Sequence, residues 1–207
     1  MLLHLPYKSY DFFLTNVQRL VASVYKSNLG GDFMPIMDHL IDGQLTDAYQ
    51  SALNESGLSP DEVTESMKEQ LQGFIEEQQG YVEGFYKDII DAQVDGHPSL
   101  DSLLTRAQSW ANRWNEVYHA ALTEITAEMG GKLIWKEGDT KDKCNTCVSL
   151  DGIVAFATEW QQAGFQPQGD MLDCHGDHCR CSLTPTSARR SPNALTRLLD
   201  IATARNL

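Results

Sequence analysis

Residues 99–135 read SLDSLLTRAQSWANRWNEVYHAALTEITAEMGGKLIW, and the periodicity changes once within them. Leu100, Leu103, Ala107, Trp110, Trp114, Tyr118, Ala121, Ile125 and Met129 recur every three or four positions, the period of one helix face. Gly130-Gly131 ends that pattern, and Lys132-Leu133-Ile134-Trp135-Lys136 follows as a strand. A long helix running into a strand across a glycine pair predicts an α+β chain, with helices in front and a small mixed unit behind.

Toward the N-terminus the helical signal continues. A helix is expected over Tyr7–Ser27, with Phe13, Val17, Leu20, Val21 and Val24 on one face. A second, over about Asp32 to Leu53, carries Ile36, Leu40, Leu45, Ala48 and Ala52 less regularly. The third opens on Ser59-Pro60-Asp61-Glu62, which places an N-cap serine, a proline at the first helical position and a glutamate three residues on. Its stripe runs through Val63, Met67, Leu71, Phe74, Ile75, Val82, Phe85, Ile89 and Ile90, weakened at Gly80 and Gly84, to a stop at Gly96-His97-Pro98. Helices of this length need packing partners. Residues 1–130 are therefore expected to form an antiparallel bundle of long helices, with tyrosines and tryptophans in its core.

Beyond Gly131 the elements are short. Gly152–Phe156 and Cys181–Thr184 read as strands, and Thr158 as the cap of a short helix through Trp160 to Ala163, closed by Gly164. Residues 131–185 make a loop-rich α+β module, and at about fifty residues such a unit has little core of its own. Residues 186–207 form a basic tail with a short helix expected over Asn193–Ala204.

The charge is uneven. Residues 1–109 hold 17 acids against 6 bases, whereas the tail sets Arg189, Arg190, Arg197 and Arg205 against Asp200. Affinity for phosphate comes from lysine and arginine, so the acidic body is not expected to bind nucleic acid; only the tail has the sign for it. No apolar run reaches the roughly 18 residues that span a membrane, and Met1–Tyr10 has too short a run for a signal peptide. An intracellular protein whose cysteines stay reduced or bind metal is expected.

All five cysteines lie in residues 144–181. Cys144-x-x-Cys147 and Cys174-His175-Gly176-Asp177-His178-Cys179-Arg180-Cys181 are two knuckles able to close around one ion, since Zn²⁺ takes four sulfur or nitrogen ligands tetrahedrally. Cys144, Cys147, Cys174 and Cys179 are the expected thiolates of a structural zinc site. Cys181, His175 and His178 are alternatives, and unliganded thiols or one or two disulfides are the competing states. Arg180 is expected to pair with Asp151 or Asp173.

Enzyme signatures are missing. There is neither the His-x-Glu of zinc deaminases nor the His-Glu-x-x-His of metalloproteases. Cys144-Asn145-Thr146-Cys147 lacks the βαβ setting of a redox pair.

The order of landmarks is more specific than the zinc pattern. It runs Trp110-x-x-Arg113-Trp114, Trp135-x-x-Gly138-Asp139-Thr140, Cys144-x-x-Cys147-x-x-Leu150-Asp151-Gly152, Trp160, Gly164-Phe165-x-Pro167 and Cys179-Arg180-Cys181-Ser182-Leu183. Over roughly residues 110–185 this resembles the phage Mu F-like minor head proteins, also called phage head morphogenesis proteins. The resemblance implies a structural minor capsid protein of a tailed bacteriophage virion, assembled in the host cytoplasm. Such a protein would act at or near the portal vertex, meet portal or major capsid protein, and bear on DNA packaging or delivery. It implies no catalytic or cofactor-binding residues; the structural zinc is expected from the cysteine chemistry, since not every relative keeps the first cysteine pair. Many relatives carry a histidine where this chain has Gly176, and Cys174, His175 and His178 are nearby substitutes. The alternative is a small metal-dependent hydrolase, a treble-clef-like nuclease, using His175 or His178 beside a metal-bound water.

Overall fold

The structure is a computed structural model, and it describes residues 7–27, 31–139, 143–169, 171–174 and 180–205. Its elements are α1 (Tyr7–Ser27), α2 (Phe33–Ser56), a 3-10 turn (Pro60–Glu62), α3 (Glu65–Gln79), α4 (Val82–Asp95), α5 (Leu100–Glu128), β1 (Lys132–Lys136), α6 (Asn145–Leu150), β2 (Val154–Phe156), α7 (Ala157–Ala163), β3 (Ser182–Pro185) and α8 (Ala194–Arg205). The chain is mostly helical with a small antiparallel sheet, an α+β protein. Two compact units divide it. One holds the chain up to Ser51 with Val63–Val117, and the other Ala52–Glu62 with the chain from Tyr118 onward.

In the first unit α1 buries Phe13, Val17, Val21 and Val24, the face its spacing predicts. Gln93 on α4 donates to the Val24 carbonyl at 3.4 Å. An aromatic cluster links three helices: Phe33 lies 6.2 Å from Phe85 and 5.2 Å from Tyr86, and Phe85 lies 6.0 Å from Trp110. Each such pair adds about 1 kcal/mol beyond its buried area. Two polar side chains that enter this core are paired. The Gln44 amide donates to the Ala111 carbonyl at 3.0 Å, and Trp114 Nε1 to Asp47 Oδ2 at 3.1 Å.

Three expectations fail here. The serine–glutamate box forms, with Glu62 accepting from the Ser59 N–H at 2.9 Å, but it closes only a 3-10 turn. The helix starts later, at Glu65, where Thr64 Oγ1 accepts from the Met67 N–H at 3.3 Å. The single stripe from Val63 to Ile90 belongs to two helices, because the chain breaks at Gly80-Tyr81 before resuming at Val82. On α2, Ile36 is exposed, whereas Phe33, Met37, Ile41 and Leu45 are buried. Two apolar rows were available, and the one bearing Phe33 turns inward onto Phe85 and Tyr86.

The second unit centres on a three-stranded sheet in the order β2-β1-β3. Leu133 pairs with Ala155 across β2, and Trp135 with Leu183 across β3. Trp135 and Trp160 are fully buried and stacked at 5.7 Å, and Trp160 Nε1 donates to the Leu133 carbonyl at 3.3 Å. Leu150, Ile153, Phe165, Leu172, Leu183, Ala194 and Leu198 complete this core. The edge strand β2 is covered: Val154 N–H donates to Ser191 Oγ at 3.0 Å, and Ser191 N–H returns a bond to the Val154 carbonyl at 2.8 Å. Covering an edge blocks stray strand pairing.

The cap of α7 is Phe156 rather than the expected Thr158, and its N–H is taken by Glu159 at 2.9 Å. Glu159 also receives a two-pronged bond from Arg190, one prong at 2.8 Å. The compact units do not divide at Gly130-Gly131. Nor does the expected tail stand apart from the module, since Ala194 and Leu198 of α8 are buried in its core.

Candidate metal centre

The second cysteine of Cys144-x-x-Cys147 sits inside a helix that the knuckle reading missed. Cys144 caps α6 with extended φ and ψ, and its Sγ accepts from the Cys147 N–H at 3.3 Å. One turn of helix thus puts both thiols on one side. Leu150-Asp151-Gly152 ends α6 with a role for each residue. Leu150 is buried, and Asp151 Oδ1 accepts from the Glu137 N–H at 2.9 Å. Gly152, at φ 72°, turns left-handed so that its N–H reaches the Trp135 carbonyl at 3.0 Å. The motif fastens α6 to the end of β1.

The third thiol arrives from far along the chain. After α7 closes at left-handed Gly164, Phe165 and Leu172 are buried and bring Cys174 to the start of α6. The Thr146 N–H donates to Asp173 Oδ2 at 3.1 Å, and the Asp173 N–H donates to Thr146 Oγ1 at 3.3 Å. The sulfurs of Cys144, Cys147 and Cys174 all lie within 4.8 Å of one another. Tetrahedral zinc with Zn–S near 2.3 Å needs sulfurs roughly 3.8 Å apart, so closure requires shifts of about an ångström or less. Among the described residues no disulfide joins Cys144, Cys147, Cys174 or Cys181.

The donors fit a soft or borderline ion. Burial pushes the Cys144 thiol up, but hydrogen bonds from Cys147 and then Cys174 outweigh it and bring it below the ordinary cysteine value. A depressed thiol carries more thiolate, the form that binds metal. Cys147 is buried, while Cys144 and Cys174 are partly exposed at the edge of the core.

Of the expected ligands, three converge. Cys179 and the alternatives His175 and His178 lie outside the described residues. Cys181 is not in the converging group; it is buried in the module core beside β3, on the same side as Leu183. The expected pairing of Arg180 with Asp151 or Asp173 is absent among the described residues: Asp151 serves the Glu137 N–H and Asp173 the Thr146 N–H. Arg180 instead matters through its backbone, which presses on Gly138 so closely that a Cβ there would fall 2.5 Å from the Arg180 carbonyl carbon. The pairing of Thr146 with Asp173 went unread in the sequence, because the two lie 27 positions apart and Asp173 was expected to face Arg180.

Among the described residues no helix is long and apolar enough to cross a membrane. Compared with family models, curated proteins and solved structures, the chain matches none.

Proposed function

We propose that this chain is a structural minor head protein of a tailed bacteriophage, with no enzymatic activity, whose cysteine module is a zinc clamp. The convergence of three cysteine thiols on one point at the edge of a buried core carries the clamp reading. A clamp requires a fourth protein donor beside these three thiols, and Cys179, His175 and His178 are the candidates for it; catalysis requires that position open. The phage assignment rests on the order of landmarks over residues 110–185. In this reading the N-terminal helices form an antiparallel bundle and dock on portal or major capsid protein, their acidic surface against a basic patch. The protein acts at or near the portal vertex of the virion, and bears on DNA packaging or delivery. The strongly acidic front supports a protein partner over nucleic acid.

Co-expression of the full chain with the portal and major capsid proteins of its own phage, followed by affinity capture, tests the partner. Co-purification of either at low and moderate salt is expected, and failure with both overturns the assignment. Incubation with single- and double-stranded DNA and RNA under Zn²⁺, Mg²⁺ or Mn²⁺ tests the clamp. No cleavage is expected. Cleavage lost in a folded His178→Ala variant establishes the hydrolase instead.

A further inference from the structure

Nothing in the cysteine spacing brings Cys174 to the other two thiols. Cys144 and Cys147 are fixed relative to each other by one turn of α6, but Cys174 follows 27 residues after Cys147. Burial of Leu172 anchors its segment from one side. The other anchor is the reciprocal pair of hydrogen bonds between Thr146 and Asp173. Each partner is the immediate neighbour of a thiol: Thr146 precedes Cys147, and Asp173 precedes Cys174.

The two side chains differ in a telling way. Thr146 is 3% exposed, so its hydroxyl and N–H lie where unpaired polar groups are costly. Both are satisfied when Asp173 is docked. Asp173 itself is exposed, so core packing does not require a carboxylate there. A threonine buried between two cysteines therefore selects the position of the loop that carries the third.

We infer that the Thr146–Asp173 pair is a positioning clasp for the metal centre, holding Cys174 at ion-binding distance before any ion arrives and thereby setting metal affinity. The inference rests on the metal reading of this site and adds residues that touch no ion. Groups that orient metal ligands from outside typically change affinity 10–100-fold when lost. Preorganisation acts by removing the cost of ordering the loop upon binding.

The test uses the full chain, reduced and stripped of metal, titrated with Co²⁺ for its thiolate charge-transfer band and then with Zn²⁺ in competition with a chelator. Thr146→Val keeps the shape and removes the hydroxyl; Asp173→Ala removes the exposed partner and serves if the valine variant fails to fold. Each is expected to weaken Zn²⁺ binding by about 10-fold or more, with the far-UV circular dichroism of the metal-free protein unchanged. Thr146→Ser is expected to restore affinity to within about twofold of the wild type, because it returns the hydroxyl. Wild-type binding with undiminished affinity in both variants overturns the clasp and leaves the metal centre standing. A wild type that binds neither ion overturns the metal reading, and the clasp with it.

Discussion

Gly138→Ala isolates one close approach in the module. A Cβ at residue 138 falls 2.5 Å from the carbonyl carbon and the Cβ of Arg180 and 2.6 Å from its oxygen. Carbon atoms settle at about 3.5 Å or more, so roughly 1 Å must open between two backbone segments. Neither segment yields cheaply. Lys136 and Ser182, two residues away on each side, are paired in the β1–β3 ladder. Gly138 is not among the left-handed glycines, so space rather than backbone strain decides the outcome. Overpacking of this kind costs about 1–3 kcal/mol, and in a unit of about 100 residues each kcal/mol moves Tm by roughly 4–8 °C. Thermal unfolding followed by near-UV circular dichroism, to which the stacked Trp135–Trp160 pair contributes, is expected to show the module melting about 4–24 °C lower. Gly73→Ala is the control. It lies within α3 with nothing within 4 Å of the added Cβ, and gains about 0.5–1 kcal/mol. A Gly138→Ala protein melting within about 1 °C of the wild type would refute the steric argument.

Two further outcomes are expected. Purified protein carries about one zinc per chain by elemental analysis; Cys147→Ser loses it and lowers the melting temperature of the module, while the helical signal remains, and five reactive thiols with no metal in freshly reduced protein would contradict this. Glu159, held below the ordinary glutamate range first by its hydrogen bond from Arg190 and opposed by burial, ties stability to pH. A carboxylate depressed in the folded state stabilises fully above the unfolded value of about 4.3 and loses that contribution as pH falls through its folded value. The advantage of wild type over Glu159→Gln in urea unfolding is therefore expected at pH 7, and is expected to fade below about pH 4.

Where one physical signal spans many residues, the sequence was readable. Strand β1 and both ends of α1 fall where the pattern puts them, and α5 runs from Leu100 to Glu128 inside the expected Ser99–Met129. In α1 and α5 several turns of one apolar face outvote any local ambiguity. Short or competing signals misled. Ser59-Pro60-Asp61-Glu62 satisfies every rule of a helix start, yet Thr64 offers a second cap five residues later and takes the helix. Gly80 weakened the third stripe on paper, but its period carried across a break that only packing reveals. At the site, Cys144, Cys147 and Cys174 were nameable from chemistry alone, because few residue types bind soft ions. The helix beneath the first pair was not, since six residues are too few to show a period. The Thr146–Asp173 pair was invisible for a different reason: Asp173 was assigned to Arg180, and nothing marks Thr146 as its partner until the fold sets them side by side.

The meeting of Cys147 and Cys174 also has a topological meaning. An ion gripping both closes a ring of chain that holds β2, the whole of α7 and Trp160. A covalent cross-link of that span, about 28 residues, removes roughly 3.5 kcal/mol of freedom from the unfolded chain, and a slowly exchanging metal acts in the same direction. With an ion bound, the ring would also confer tolerance of damage. A single protease cut within residues 148–173 would leave both fragments joined through the ion, and they would part only when a chelator or an oxidant releases it.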